Sequence, residues 1–179
     1  MGRDVHSSLG WRKLSHICQR WHYLIYEFTF HLDIHILCTN GTPLVDELDH
    51  LPPLPLVVQY VKGYRGAVSL TEQDRLGLYN ALCVHNRVRG IEHYLPPSVL
   101  HEVLLLMDKH FPILESLHLS LMAESTTIQL LTLPKAFQAP NLRYFTLLSI
   151  SPPIGFRFLT STVSLVGLEL RNIHASNPF

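Results

Sequence analysis

Charge is scarce in this chain of 179 residues: only 16% are Asp, Glu, Lys or Arg, against about a quarter in an average globular domain. Lys plus Arg and Asp plus Glu each count 14, so no net field draws the chain to nucleic acid or to an anionic membrane. Cysteine is equally sparse. Cys18, Cys38 and Cys83 are odd in number and far apart, which excludes both a disulfide framework and C-x-x-C metal spacing. They read as reduced thiols of an intracellular protein, cytoplasmic or nuclear. The opening Met1-Gly2-Arg3-Asp4-Val5-His6 has no apolar signal-peptide core. No stretch approaches the roughly 18 uninterrupted apolar residues that cross a bilayer.

Catalytic motifs are missing as well. There is no G-x-S-x-G elbow, phosphate-binding P-loop or dinucleotide fingerprint. Twelve histidines are present, but their spacing is poor for metal. His31 and His35 would lie about 13 Å apart on a strand, and His101-Glu102 lacks the second histidine of H-E-x-x-H. Asp46 and Asp49 fall on the polar face of a short helix expected over 44–51. The expectation is a non-enzyme with no cofactor, no metal, and neither nucleic acid nor membrane as partner.

What the chain has is apolar residues, 47% of the total, enough for one core without staples. It also has a repeated phrase. Leu114-Glu115-Ser116-Leu117-His118-Leu119, Leu142-Arg143-Tyr144-Phe145-Thr146-Leu147 and Leu165-Val166-Gly167-Leu168-Glu169-Leu170 all read L-x-x-L-x-L, with one Phe substituted, and begin 28 and 23 residues apart. That phrase at a period of roughly 20–29 marks leucine-rich repeats. Alternation turns two large apolar side chains to one face of each strand. A single unit cannot bury that face, so neighbours must stack.

Earlier segments fit the same scheme. A stripe of apolar residues predicts a helix over 11–28. Alternation predicts a strand at 31–37, and a valine-rich run at 54–61 predicts a strand buried on both faces. Residues 62–69 carry two glycines and read as a loop. Thr71 with Asp74 approximates a capping box, opening a helix whose inward face is expected to be Leu76, Tyr79, Leu82 and Cys83. A strand at 88–94 follows. Pro96-Pro97-Ser98 then starts a helix carrying Val99, Leu100, Val103, Leu104 and Met107. The expected inward anchors are Leu32, Leu56, Ile91, Leu117, Phe145 and Leu168, and His93 occupies a slot that calls for leucine.

The fold class expected is α/β: a short leucine-rich-repeat-like solenoid arc with a parallel sheet and an N-terminal amphipathic helix. Residues 1–30 form the helical N-terminal part and 31–179 the repeat domain. If Leu117 and Leu119 point inward, the opposite phase points out. The expected outward row is Asp33, His35, Glu92, Tyr94, Ser116, His118, Tyr144, Thr146, Glu169 and Arg171, a mixed polar surface with aromatics such as protein-binding faces use. An uncovered last repeat would expose apolar surface, so further protein or self-association is expected beyond it.

The stretch from Leu14 to Ile25 resembles the second half of an F-box, an apolar helix running into Cys18-Gln19-Arg20-Trp21. The phrases Leu37-Cys38-Thr39-Asn40-Gly41-Thr42-Pro43, Pro53-Leu54-Pro55-Leu56, Phe111-Pro112-Ile113-Leu114 and Ala139-Pro140-Asn141-Leu142 are similar to those of fungal, chiefly basidiomycete, F-box proteins with degenerate leucine-rich repeats. The resemblance covers roughly residues 10–175. It implies the substrate receptor of an SCF-type cullin–RING ubiquitin ligase. A Skp-type adaptor would bind on one side and an unknown protein substrate on the arc. Leu14, Ile17, Cys18, Trp21, Leu24 and Ile25 would supply the adaptor-facing or helix-packing surface. The Leu-Pro start and acidic first helix of an F-box have no counterpart before Gly10, so the helix is read as an F-box remnant or as a cap on the sheet. The alternative function is a stand-alone repeat scaffold that binds no adaptor.

Overall fold

The computed structural model describes residues 17–27, 33–38, 54–61, 71–121, 130–152, 158 and 162–173. The elements are helix α1 (Gln19–Glu27), strands β1 (Ile34–Leu37) and β2 (Leu56–Val61), helix α2 (Glu72–Cys83), strand β3 (Val88–Leu95), helix α3 (Pro97–Leu106), and strands β4 (Ser116–Leu121), β5 (Tyr144–Leu148) and β6 (Gly167–Arg171). The six strands make one parallel sheet in the order of the sequence, each pairing with the next. Parallel neighbours require a crossover between each pair, and the apolar sides of α2 and α3 pack into the same buried cluster as the inward strand residues. The chain is therefore α/β with a parallel sheet, as expected.

Register aligns the inward residues into rungs that run across the sheet. One is Val58, Ile91, Leu117, Phe145 and Leu168; the next is Tyr60, His93, Leu119, Leu147 and Leu170. Of the first two expected anchors, Leu32 lies outside the described residues, and Leu56 is inward and fully buried but one step from the Ile91 rung, which Val58 occupies. Leu56 pairs instead with Val88. Alternation gave the correct face but could not give the register, because every second residue is apolar.

The L-x-x-L-x-L phrases show what stacking does. Leu114, Leu117, Leu119, Leu142, Phe145 and Leu147 are all at most 1% exposed, whereas Leu168 and Leu170 of β6 are 46% and 39% exposed. The phrase is the same, but β6 is the sheet edge among the described residues and has a neighbour on one side only. Phe111-Pro112-Ile113-Leu114 and Ala139-Pro140-Asn141-Leu142 form equivalent tight turns, Leu114 N–H donating to Phe111 O (3.4 Å) and Leu142 N–H to Ala139 O (3.2 Å). Asn141 Nδ2 donates to Pro112 O at 2.7 Å, tying one turn to the previous one. Beneath them Phe111, Phe137, Phe158 and Phe145 form a chain of ring contacts with centroids 5.3–5.9 Å apart.

Both described crossover helices obey the sequence, with one correction. Val99, Leu100, Val103, Leu104 and Met107 are all buried. For α2 the capping box is real: Asp74 N–H donates to Thr71 Oγ1 (3.1 Å) and Thr71 N–H to Asp74 Oδ2 (3.4 Å). The inward face, however, is Asp74, Gly77, Leu78, Ala81 and Leu82. Leu76 and Tyr79 are more than half exposed and Cys83 is exposed. Turning Asp74 inward puts positions 78 and 81–82, one and two turns later, on the same side, and the small Gly77 and Ala81 let the helix lie close. Tyr79 instead sits under Lys109, whose Nζ is 5.6 Å from the ring centroid.

Helix α1 is shorter in its described part than the expected 11–28. Ile17 lies in a turn, Cys18 follows, and His22 N–H to Cys18 O (3.1 Å) closes a helical turn. Residues 11–16 and 28, the short helix at 44–51 and the glycine loop at 62–69 lie outside the described residues. Among the described residues no helix is long and apolar enough to cross a membrane.

Because inward side chains are buried by their rung neighbours, one truncation has different costs at different strands. Leu117→Ala is expected to cost on the order of 3 kcal/mol, and Leu168→Ala at the edge no more than about 1 kcal/mol. Urea unfolding monitored by circular dichroism measures both; equal losses would contradict the stacked-rung account.

Candidate functional site

The outward phase of the strands forms three rows. The first holds His35, Val57, Gly90, Ser116, Tyr144 and Gly167; the second Gln59, Glu92, His118, Thr146 and Glu169; the third Tyr94, Ser120, Leu148 and Arg171. Nine of the ten expected outward residues fall in these rows. The tenth, Asp33, lies just before β1, where its carboxylate accepts from Arg89 Nη1 at 3.0 Å. The face is not uniformly open: Ser120 and Val57 are buried, whereas Tyr144 is half exposed.

Two glycines let this surface close up. A Cβ on Gly167 would lie 2.9 Å from Tyr144 Cδ1, so the Tyr144 ring lies across the neighbouring strand. A Cβ on Gly90 would lie 2.9 Å from Ser116 Oγ and 3.3 Å from the Val57 methyls. Glycine in a strand interior often marks such a close approach.

Charge on the face is mostly compensated within it. At Arg89 strand β3 gains one residue relative to β2: Leu56 pairs with Val88 and Val57 with Gly90. The bulge sends Arg89 toward Asp33 and leaves its Nε 4.0 Å from Glu115 Oε1. Glu169 pairs with Arg171 on the same strand. Glu92 differs, since its Oε2 accepts from the neutral amide of Gln59, Nε2 at 2.6 Å. Near the start of the last strands, Ile113, Glu115, Asn141, Arg143 and Ser164 line a cleft of about 270 Å³.

The expectation missed Gln59, Arg89 and Glu115. Gln59 lies in a run read as buried on both faces, and a bulge leaves no mark in an alternation pattern. Of the adaptor group, Leu14 lies outside the described residues, and Trp21 and Ile25 lie in α1 with side chains outside them. Ile17 is 65% exposed, Leu24 is 37% exposed and Cys18 is exposed.

On the inward side one rung is polar. Tyr60 and His93 are register partners, both fully buried, and among the described residues neither the Tyr60 hydroxyl nor either His93 ring nitrogen has a hydrogen-bond partner. Burial lowers the His93 pKa from 6.5 to about 4, against a weaker opposing pull from the Glu92 backbone. Burial, and secondarily the Asp74 carboxylate, push both Cys38 and Tyr60 up to about 12. These groups do not form a metal site: no three His, Cys, Asp or Glu gather suitably among the described residues. No protein-family model matches this chain, and neither a curated protein nor a solved structure shows significant similarity to it.

His93 makes stability depend on pH with a definite sign. In the folded chain it stays neutral down to about pH 4, while in the unfolded chain it takes up a proton near 6.5. Its contribution is therefore intact above the unfolded pKa and lost as pH falls toward the folded one, by an amount on the order of 3 kcal/mol. His93→Leu should remove this part of the acid sensitivity. Denaturant unfolding of both proteins near about pH 7 and about pH 4.5 should show their difference in stability growing toward acid; a constant difference would contradict it.

Proposed function

We propose that this chain is a non-catalytic protein-recognition module: an F-box-like receptor whose leucine-rich-repeat-like solenoid arc holds a target protein on its outer strand face. The observation that carries the reading is the sequence-ordered parallel sheet with L-x-x-L-x-L leucines turned inward and one polar, aromatic-bearing face turned outward. Sequential parallel stacking of similar units is the geometry of repeat proteins, which bind along an extended strand surface. Rows of Tyr, His, Ser, Thr and Glu suit an interface whose specificity comes from hydrogen bonds and aromatic anchors.

The second half of the proposal concerns the adaptor. The F-box resemblance of 14–25 is supported by the exposure of Ile17, Tyr23 and Leu24 around α1, apolar groups that a Skp-type partner would cover. In this reading the chain brings a bound protein to an SCF-type ubiquitin ligase and performs no chemistry itself. The alternative is a repeat scaffold that binds no adaptor.

Binding to a purified Skp-type adaptor separates the two. Wild type is expected to bind, and Ile17→Asp combined with Leu24→Asp to weaken binding at least tenfold, about 1.4 kcal/mol, with circular dichroism unchanged. Isothermal titration calorimetry reads the result. Absence of binding, or equal binding by both proteins, favours the scaffold.

A further inference from the structure

Among the described residues four carboxylates belong to the outer face, and three have a cation. Arg89 serves Asp33 at 3.0 Å and lies 4.0 Å from Glu115, and Arg171 serves Glu169. The fourth, Glu92, has only the Gln59 amide among the described residues. Its register neighbours in the second row are Gln59 and His118, and Gly90 and Tyr94 flank it along β3. None of these is a lysine or arginine. Glu92 is half-buried on the third of six strands, away from both sheet edges.

A partly desolvated carboxylate with one neutral donor is an incomplete interaction. Water solvates it less well than it would a surface glutamate, and an added cation would meet less screening there than on an open surface. The Gln59 amide holds Oε2, so the carboxylate is positioned in advance and Oε1 is left as an acceptor. Preorganisation of this kind reduces the ordering cost of binding.

We infer that Glu92 is the specificity anchor of the outer face and that the bound protein segment seats a lysine or arginine side chain on its carboxylate. The aliphatic stem of that side chain lies over the strand surface beside Tyr94 and His118, and its head completes the charge that Gln59 leaves uncompensated. This inference rests on the reading of the face as a protein-recognition surface and narrows the partner to segments with a basic residue at the centre of the contact.

The test uses a bead-bound library of random dodecapeptides, selected on the immobilised full chain as wild type, Glu92→Gln and Glu169→Gln. Wild type should enrich peptides sharing a lysine or arginine at a fixed position. Glu169→Gln, whose parent carboxylate already has Arg171, should enrich the same peptides, and Glu92→Gln should not. For one enriched peptide, Glu92→Gln and replacement of its basic residue by norleucine should each weaken binding at least tenfold, with no further loss in combination. Circular dichroism melts establish that the variants are folded. Enrichment without basic preference, a preference that persists in Glu92→Gln, or additive losses overturn the inference while leaving the recognition face standing. Retention of no peptide overturns the recognition reading and the inference with it.

Discussion

Every inward side chain in this sheet depends on the strand to either side of it. In a parallel sheet built in sequence order, side chains at matching register positions form rungs, and each member shields the next from water. Phe145 is fully buried because Leu117 lies on one side and Leu168 on the other, while Leu168 with one neighbour is half exposed. The crossovers are then obliged to close the same apolar face, which explains why α2 and α3 contribute to one cluster with the strands. The turns before β4 and β5, with their linked Phe-Pro and Ala-Pro-Asn phrases, keep successive units in step.

The same register that buries the leucines arranges the polar residues between them. His118, Thr146 and Glu169 come from three separate repeats, and the pairing of β4, β5 and β6 sets them in one row. Compensation of charge follows from this placement. Arg89 reaches Asp33 across more than fifty residues of sequence because β3 carries an extra residue at that point, whereas Glu92, two rows of side chains further on, meets no cation among the described residues.

The polar rung of Tyr60 and His93 is the place where the inward apolar pattern is broken. Leucine would fit the His93 slot without an orphaned nitrogen, and buried groups of this kind cost stability. The histidine was visible in the sequence as a misfit. Its consequence, a neutral imidazole beside a buried tyrosine with Asp74 and Cys38 nearby, came from the pairing of β2 with β3 and from the face that α2 turns inward.

Strand positions, the alternation of faces and the capped start of α2 were legible in the sequence, because they depend on side-chain period and on contacts within a few residues. Leu114, Leu117 and Leu119 could be assigned inward, and His118 outward, from spacing alone. Three things could not. The register of β2, the bulge at Arg89 and the inward face of α2 depend on how neighbouring units slide against one another, and several registers satisfy the same apolar pattern. The setting of Glu92 is of that kind also: a sequence shows a glutamate, and only the pairing of β3 with its neighbours shows that, among the described residues, its partner is the Gln59 amide and not a cation.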